Sequence, residues 1–342
     1  MDIELFDYDL PVQLIAQQPH IPRDECRLMV CNKKTGRIEH RIFKDLIDYL
    51  DENDLLVLNN TKVIPARLLA KKPSGGKIEI FLLKPITKNR FYCLTKGKFK
   101  NTTIATLKNG SRVKIAKIPG KMERVVEFEN TNDTFELLES VGEVPLPPYI
   151  KRDYNNYNKE KDFEYYQTVF AKKEGAVASP TAGLHFTQNL IETLKNKGIK
   201  ITYITLHVGI GTFMPVKEKE IEKHKMHSEE FEISKESAEI INHYARNGRV
   251  IAVGTTVVRA LEAASNNKRE VKPIKTSTDI FIYPGYKFKI IDGLITNFHL
   301  PKSTLLMLVS AFYEREKILD CYKKAIDEQY RFFSFGDAMF IF

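Results

Sequence analysis

Cysteine is scarce and scattered in this chain. Cys26, Cys31, Cys93 and Cys321 form no CxxC pair, which excludes a thiolate zinc site and a disulfide framework as organising features. Long apolar runs are also missing. The run LLMLVSAF is too short to span a bilayer and lies between Lys302 and Arg315, and the opening MDIELFDYDLP lacks the basic region and apolar core of a signal peptide. A cytoplasmic protein with no membrane partner is expected. Familiar phosphate and metal motifs are absent too. There is no Walker loop, and GIGTF lacks the third glycine of the dinucleotide fingerprint. His224 and His227, with Glu229 and Glu230, give His-x-x-His and a carboxylate but not the HExxH order. A solvated charged segment explains them without a ligand, so no metal is expected. His227 with Glu229 is better treated as a proton-transfer or anchoring pair.

What the chain does have is size, localised charge and two textures. Its 342 residues, 43% apolar and 28% charged, are enough for two domains with a substantial core. Residues 86 to 125 carry eleven basic side chains, among them Lys96, Lys98 and Lys114, against the single acid Glu123, whereas the whole chain nets +9. The rest is therefore slightly acidic, and the positive field belongs to one region. That field suits a polyanion such as nucleic acid, and a Lys-rich solvated face accounts for it equally. From Arg67 onward the same region reads as short alternating runs broken by Gly, Asn and Pro, with no helical period until TFELLESVG. Pro145, Pro147 and Pro148 stiffen its exit. The expected fold class is α/β: a layered mixed-sheet domain, discontinuous over 1–70 and 150–342, with a small basic β-barrel-like domain inserted at 71–149.

Within the larger domain, DLLVLNN reads as a buried strand opening into Asn59, Asn60 and Thr61, with its functional end at the carboxyl side. FKDLIDYLDEND reads as a short amphipathic helix. Two loops share a vocabulary of small residues around a Leu-His pair: GAVASPTAGLHFT with His185, and TLHVGIGTF with His207. Between them TQNLIETLKNKG predicts a helix capped by Thr187, striped by Leu190, Ile191 and Leu194, and ended by Gly198. The unit loop, helix, strand, loop brings both histidines to one sheet edge, an active-site candidate; a pair of satisfied core histidines is the plainer alternative. SKESAEIINHYARNG predicts a helix from Ser234 to Gly248. RVIAVG followed by TTVVRALEAA places Gly254, Thr255 and Thr256 at an anion-binding turn. Arg259, one turn on, pairs with a ligand anion or with Glu262. STDIFIYPGYKF and IDGLITNF predict strands, after which Thr296, Asn297, His299 and Lys302 precede a helix capped by Ser303. Tyr166 and Gln167 could stack on and read a base, though an aromatic cluster is as often core. Arg23, Asp24 and Arg27 either hold an anion or pair locally.

The blocks NNTKVIPARL, PLPPYI, YQTVFA, GAVASPTAGLHFT, TLHVGIGTF, MHSE, AVGTTVVRALE, FIYPG, TNFHLPKSTLLMLVSAF and YRFFSFGDAM, in this order over nearly the entire chain, resemble the S-adenosylmethionine:tRNA ribosyltransferase-isomerase family of queuosine biosynthesis. The resemblance implies an α/β domain joined to an inserted β-barrel-like domain. It implies an enzyme that moves and isomerises the ribosyl part of S-adenosylmethionine onto 7-aminomethyl-7-deazaguanine at wobble position 34 of GUN-anticodon tRNA. The products are epoxyqueuosine-tRNA, adenine and methionine. A base must take a proton from the ribose carbon beside the sulfonium, and a group must help adenine leave. His185 and His207 are the first candidates, with His299 and His227 behind them. Thr181, Gly183, Gly209, Gly211 and Thr212 are expected to shape the co-substrate pocket. Gly254, Thr255, Thr256 and Arg259 are expected to hold the methionine carboxylate or an anticodon phosphate, Tyr166 and Gln167 to contact the base, and Lys96, Lys98 and Lys114 to contact tRNA phosphates. The remaining classes are an S-adenosylmethionine-dependent RNA methyltransferase and a non-catalytic RNA-binding protein. A monomer is expected, with a weak homodimer as the other possibility.

Overall fold

The computed structural model describes residues 1–129, 131, 134–152, 158–209, 216 and 218–342. In chain order the strands and helices begin with β1 (Arg27–Cys31), β2 (Ile38–Ile42), β3 (Asp54–Asn59) and β4 (Thr61–Val63). Six strands follow: β5 (Arg67–Lys71), β6 (Lys77–Thr87), β7 (Arg90–Lys96), β8 (Thr102–Leu107), β9 (Arg112–Lys117) and β10 (Arg124–Phe128). Then come α1 (Thr134–Val141), α2 (Lys159–Tyr165), β11 (Lys173–Ala176), α3 (Gln188–Asn196), β12 (Lys200–Leu206), β13 (Glu229–Ile233) and α4 (Lys235–Asn247). The chain closes with β14 (Arg249–Val253), α5 (Thr255–Ala264), β15 (Ile274–Thr278), β16 (Gly293–Asn297), α6 (Thr304–Tyr313), α7 (Arg315–Asp327) and β17 (Ala338–Ile341).

Nine strands form one mixed sheet in the order β15-β13-β12-β3-β14-β16-β17-β1-β2. At its centre β12, β3, β14 and β16 run parallel to one another, so their carboxyl ends share one edge. β3 is buried at every position because both faces are covered. Leu55 and Val57 join the core that includes residues of α4, α5, α6 and α7, while Leu56 and Leu58 join the core of α3 and the Phe43–Tyr49 turn. Local chemistry fixes the helices as expected. Thr187 Oγ1 accepts from Leu190 N at 3.1 Å, Leu190, Ile191 and Leu194 are buried, and Gly198 follows the helix at φ +92°. Ser234 caps α4 and Ser303 caps α6 in the same manner.

The basic region is an antiparallel closed barrel, β10-β7-β6-β5-β8-β9. Strict alternation builds it: Ile78, Ile80 and Leu82 of β6, Val113 and Ile115 of β9, and Val126 and Phe128 of β10 point inward with Leu138 and Val141 of α1. The intervening positions face out, Lys114 among them.

Two elements differ from the sequence reading. Phe43–Tyr49 is a 3-10 helix, burying Phe43 and Leu46. It is a short 3-10 connector between β2 and β3, held at its start by Phe43 N donating to Cys26 O at 2.8 Å and ending at extended Leu50. The apolar run after Thr278 is irregular instead of a strand. Side chains satisfy much of its backbone: Ile280 N donates to Thr278 Oγ1 at 3.1 Å, Arg259 donates to Ile280 O at 3.2 Å, and Glu262, fully buried, accepts from Lys289 N at 2.8 Å and Ile290 N at 3.1 Å as well as from the Tyr286 hydroxyl at 3.1 Å. A carboxylate on α5 replaces a sheet ladder. Glu262→Ala is therefore expected to lose about 3–5 kcal/mol of stability, since buried donors would be left unmade at ~1–3 kcal/mol each; urea unfolding checks this, and a loss under ~1 kcal/mol would show that the segment holds itself.

Candidate active site

The carboxyl ends of the parallel strands build a cavity. Gly254, Thr255 and Thr256 enter it after β14, Thr296, Asn297, Phe298 and His299 at and after the end of β16, and Val208 after β12; Ser179, Pro180, Thr181, Ala182, Tyr149, Phe333 and Ser334 complete most of its wall. This is where a doubly covered α/β sheet presents ligands. Gly254 sits at φ +93° as the residue before α5, and a Cβ there would stand 3.5 Å from Ala182 Cβ; the turn needs the left-handed conformation, which glycine adopts without strain.

Two asparagines hold the rim. Asn59, at the end of β3, accepts from Leu206 N at 3.0 Å and donates to Leu206 O at 2.9 Å, extending the β3–β12 pairing through a side chain. Asn297 accepts from Thr181 Oγ1 at 3.0 Å and donates to Phe333 O at 3.1 Å and to His185 Nε2 at 3.1 Å. Thr181 is therefore a rim residue whose hydroxyl is engaged.

The expected histidines are placed in different surroundings. His185 ends the 3-10 turn Thr181–His185, is buried, and does not line the cavity. With Nε2 accepting from Asn297, Nδ1 carries the proton and faces Cys26 Sγ at 3.2 Å, and the ring lies 5.1 Å from Phe43. Burial first, then Arg331 and Arg23, pushes its pKa down to about 3. Both nitrogens serve the structure. His299 does line the cavity: Thr296 Oγ1 is 2.8 Å from its Nε2, no partner for Nδ1 occurs among the described residues, and burial lowers its pKa to about 3. Its backbone is pinned by Tyr322 and Tyr8, the N–H donating to Tyr322 Oη at 2.9 Å and the carbonyl accepting from Tyr8. His207 lies in a separate open groove with Lys173, Glu174, Glu230, Glu232 and Lys275, its Nδ1 2.8 Å from Thr61 Oγ1. Burial chiefly lowers its pKa. His207 and Val208, adjacent in sequence, thus face the two depressions separately. His227 is exposed on the approach to β13.

Several other expectations are redirected. Arg259 does not reach the cavity. It is buried in an ion pair with Glu229, donates to Ile280 O at 3.2 Å, and has no pairing with Glu262. Glu229 in turn accepts from Gly209 N at 2.8 Å, so Glu229 belongs to this pair and not to His227. Gly183 is a packing residue, since a Cβ there would meet Phe170 at 2.8 Å. Tyr166 is fully buried, with its ring 6.0 Å from Phe335, and offers no stacking face. Gln167 spends both ends of its amide on Val63, accepting from its N–H at 3.0 Å and donating to its carbonyl at 3.2 Å. Arg23 holds the carbonyls of Glu164 and Gln167 at 2.5 and 2.7 Å instead of an anion. Gly211 and Thr212 lie outside the described residues. Lys96, Lys98 and Lys114 are exposed on the barrel, remote in sequence from the cavity wall. Tyr149 and Phe333 were not singled out by sequence; their only signal is membership of PLPPYI and FFSFGD.

The family described as queuosine biosynthesis protein has a model that matches residues 3–341. The chain belongs to this family. It is 52% identical over 352 residues, covering both chains fully, to the S-adenosylmethionine:tRNA ribosyltransferase-isomerase of Halothermothrix orenii. It is 54% identical over 349 residues, again at full coverage, to the enzyme of the same name from Sulfurihydrogenibium sp.. The crystal structure of S-adenosylmethionine tRNA ribosyltransferase from Thermotoga maritima matches 99% of this chain and 100% of its own with 38% identity and a TM-score of 0.55. Among the described residues of this family member, no His, Cys, Asp and Glu group has metal-site geometry and no helix is long and apolar enough to cross a membrane.

The two buried histidines set an acid limit. Each falls from 6.5 to about 3 on folding, so the unfolded chain takes up protons near pH 6.5 that the folded chain refuses. Their contribution is complete above that pH and is lost as pH falls through 6.5 toward 3, at up to ~1.4 kcal/mol per pH unit for each. The urea midpoint is expected to drop between pH 7.5 and 4.5, and less steeply in His185→Asn; a flat profile would mean that the rings charge in place.

Proposed function

We propose that this chain is an S-adenosylmethionine:tRNA ribosyltransferase-isomerase, transferring and isomerising the ribosyl moiety of S-adenosylmethionine to 7-aminomethyl-7-deazaguanine at position 34 of GUN-anticodon tRNA. The products are epoxyqueuosine-tRNA, adenine and methionine. The observation that carries this reading is full-length identity above 50% with two proteins of that name; the cavity at the carboxyl edge of the sheet supports it. The co-substrate fits there on the chemistry of the wall: an aromatic side formed by Tyr149, Phe298 and Phe333 for a sulfonium, and Thr255 and Thr256 at the start of α5 for an anion. Bound, the sulfonium acidifies the ribose C–H beside it.

His299 is the proton acceptor in this reading. When Nε2–H donates to Thr296 Oγ1, Nδ1 keeps a lone pair with no competing donor among the described residues. Burial keeps the ring neutral, and an anion bound in the same cavity raises its basicity. His207, in the adjoining groove, is assigned to the incoming modified base, whose amine must lose a proton. The barrel, whose strand β5 (Arg67–Lys71) begins just before the expected boundary of the inserted domain 71–149, supplies phosphate contacts through Lys96, Lys98 and Lys114.

His299→Gln is expected to lower turnover ~100-fold or more at saturating substrates, the scale of a lost general base; a change within ~tenfold would remove His299 from proton transfer. Chromatography of the wild-type reaction should give adenine and methionine, whereas S-adenosylhomocysteine would identify methyl transfer and no turnover a non-catalytic RNA binder. Lys-to-Glu changes at Lys96, Lys98 and Lys114 should weaken tRNA binding and flatten its salt dependence by about one unit of slope per lost contact, with co-substrate affinity retained. An unchanged slope would return the barrel lysines to a plain solvated face.

A further inference from the structure

Two helices begin at the cavity wall, and among the described residues no lysine or arginine lines it. α5 is preceded by Gly254, which has no side chain to cap it; among the described residues, Thr255 N and Thr256 N have no acceptor. α6 begins at the same cavity through Ser303 and Leu305. Ser303 Oγ takes Leu306 N at 3.2 Å, leaving Thr304 N and Leu305 N without an acceptor among the described residues. Each helix is ten residues long, so each start carries about half a positive charge. The third element is a side chain. Ser179 lines the cavity at 4% exposure, and its hydroxyl has no hydrogen-bond partner, a condition that costs ~1–3 kcal/mol unless a ligand relieves it. Arg259 of α5 is consumed by Glu229, and Lys302, beside Ser303, by Glu4 and Asp7. The cavity is thus electropositive through backbone alone.

We propose that the starts of α5 and α6, together with the Ser179 hydroxyl, form the subsite for the carboxylate of the co-substrate's amino-acid part, an assignment that rests on the reading above. A carboxylate is the one anion that S-adenosylmethionine carries. A nucleotide phosphate is the other anion in the reaction, but it is flanked by sugars on both sides, whereas a carboxylate is a terminal group that can reach the Ser179 hydroxyl, buried at 4% exposure in the cavity wall. The assignment explains why small residues and threonines, with no lysine or arginine, surround an anion site. Backbone donors fix a carboxylate without adding a side-chain cation close to the sulfonium.

Calorimetry with S-adenosylmethionine and its decarboxylated analogue tests the subsite on the wild-type protein. Binding is expected to be at least ~30-fold tighter for the carboxylated compound, about 2 kcal/mol. Ser179→Ala and Thr255→Pro should each weaken the carboxylated compound ~tenfold and leave the decarboxylated analogue and tRNA unchanged. Proline suits the first helical position, and the extended ψ of Gly254 accepts a following proline; Ser179→Ala removes a hydroxyl that has no partner, so stability should not fall. Equal affinities of the two compounds for the wild-type protein, or variants that weaken tRNA and not the co-substrate, would overturn the subsite while leaving the ribosyltransferase reading intact. Failure of the wild-type protein to bind S-adenosylmethionine at all would remove that reading itself.

Discussion

The buried pair of Arg259 and Glu229 is the interaction on which the arrangement of the cavity depends. Both side chains are about 95% hidden from solvent, where an isolated charge is very costly and a broken pair typically loses ~3–5 kcal/mol. From α5 the guanidinium also reaches the carbonyls of Ile280 and Thr278, and the carboxylate reaches back to Gly209 N after β12. Helix, irregular segment, edge strand and loop are thereby locked in one register. That lock sets the start of α5 against the sheet edge.

Around it, polar groups at the strand ends work as extensions of secondary structure. Asn59 continues the β3–β12 ladder, Asn297 ties β16 to two loops, and Glu262 stands in for a missing strand partner. Buried backbone groups demand partners, and these three side chains supply them where the chain turns away from regular pairing. The cavity is what remains open once those demands are met. Its wall keeps a hydroxyl at Ser179 and a ring nitrogen at His299 unmatched among the described residues, in contrast to the satisfied groups of His185 and Gln167.

The barrel and the sheet divide the work by charge. The positive window is outside, on strands whose inner faces are Val, Ile, Leu and Phe, whereas the cavity edge is uncharged. Under the proposed function, a large polyanion and a small zwitterionic co-substrate would be received by different physics: a screened surface field for the first, fixed backbone dipoles for the second.

Sequence by itself determined the periodic elements and the chemistry of the strand ends. The 3.6-residue stripe of α3 and α4, their Thr187 and Ser234 caps, the apolar continuity of β3, the alternation of the barrel strands and the Gly254-Thr255-Thr256 turn are local properties, decided by neighbours within a few residues. Tertiary structure alone decided which polar groups were free. His185, His207 and His299 look alike in sequence, yet one is tied between Asn297 and Cys26, one lies in an open groove, and one faces the cavity. Arg259 found Glu229, thirty residues away, in place of Glu262, and Gln167 found the backbone of Val63. Hydrogen-bond and ion-pair partners of buried side chains come from distant chain segments, and no local periodicity records them.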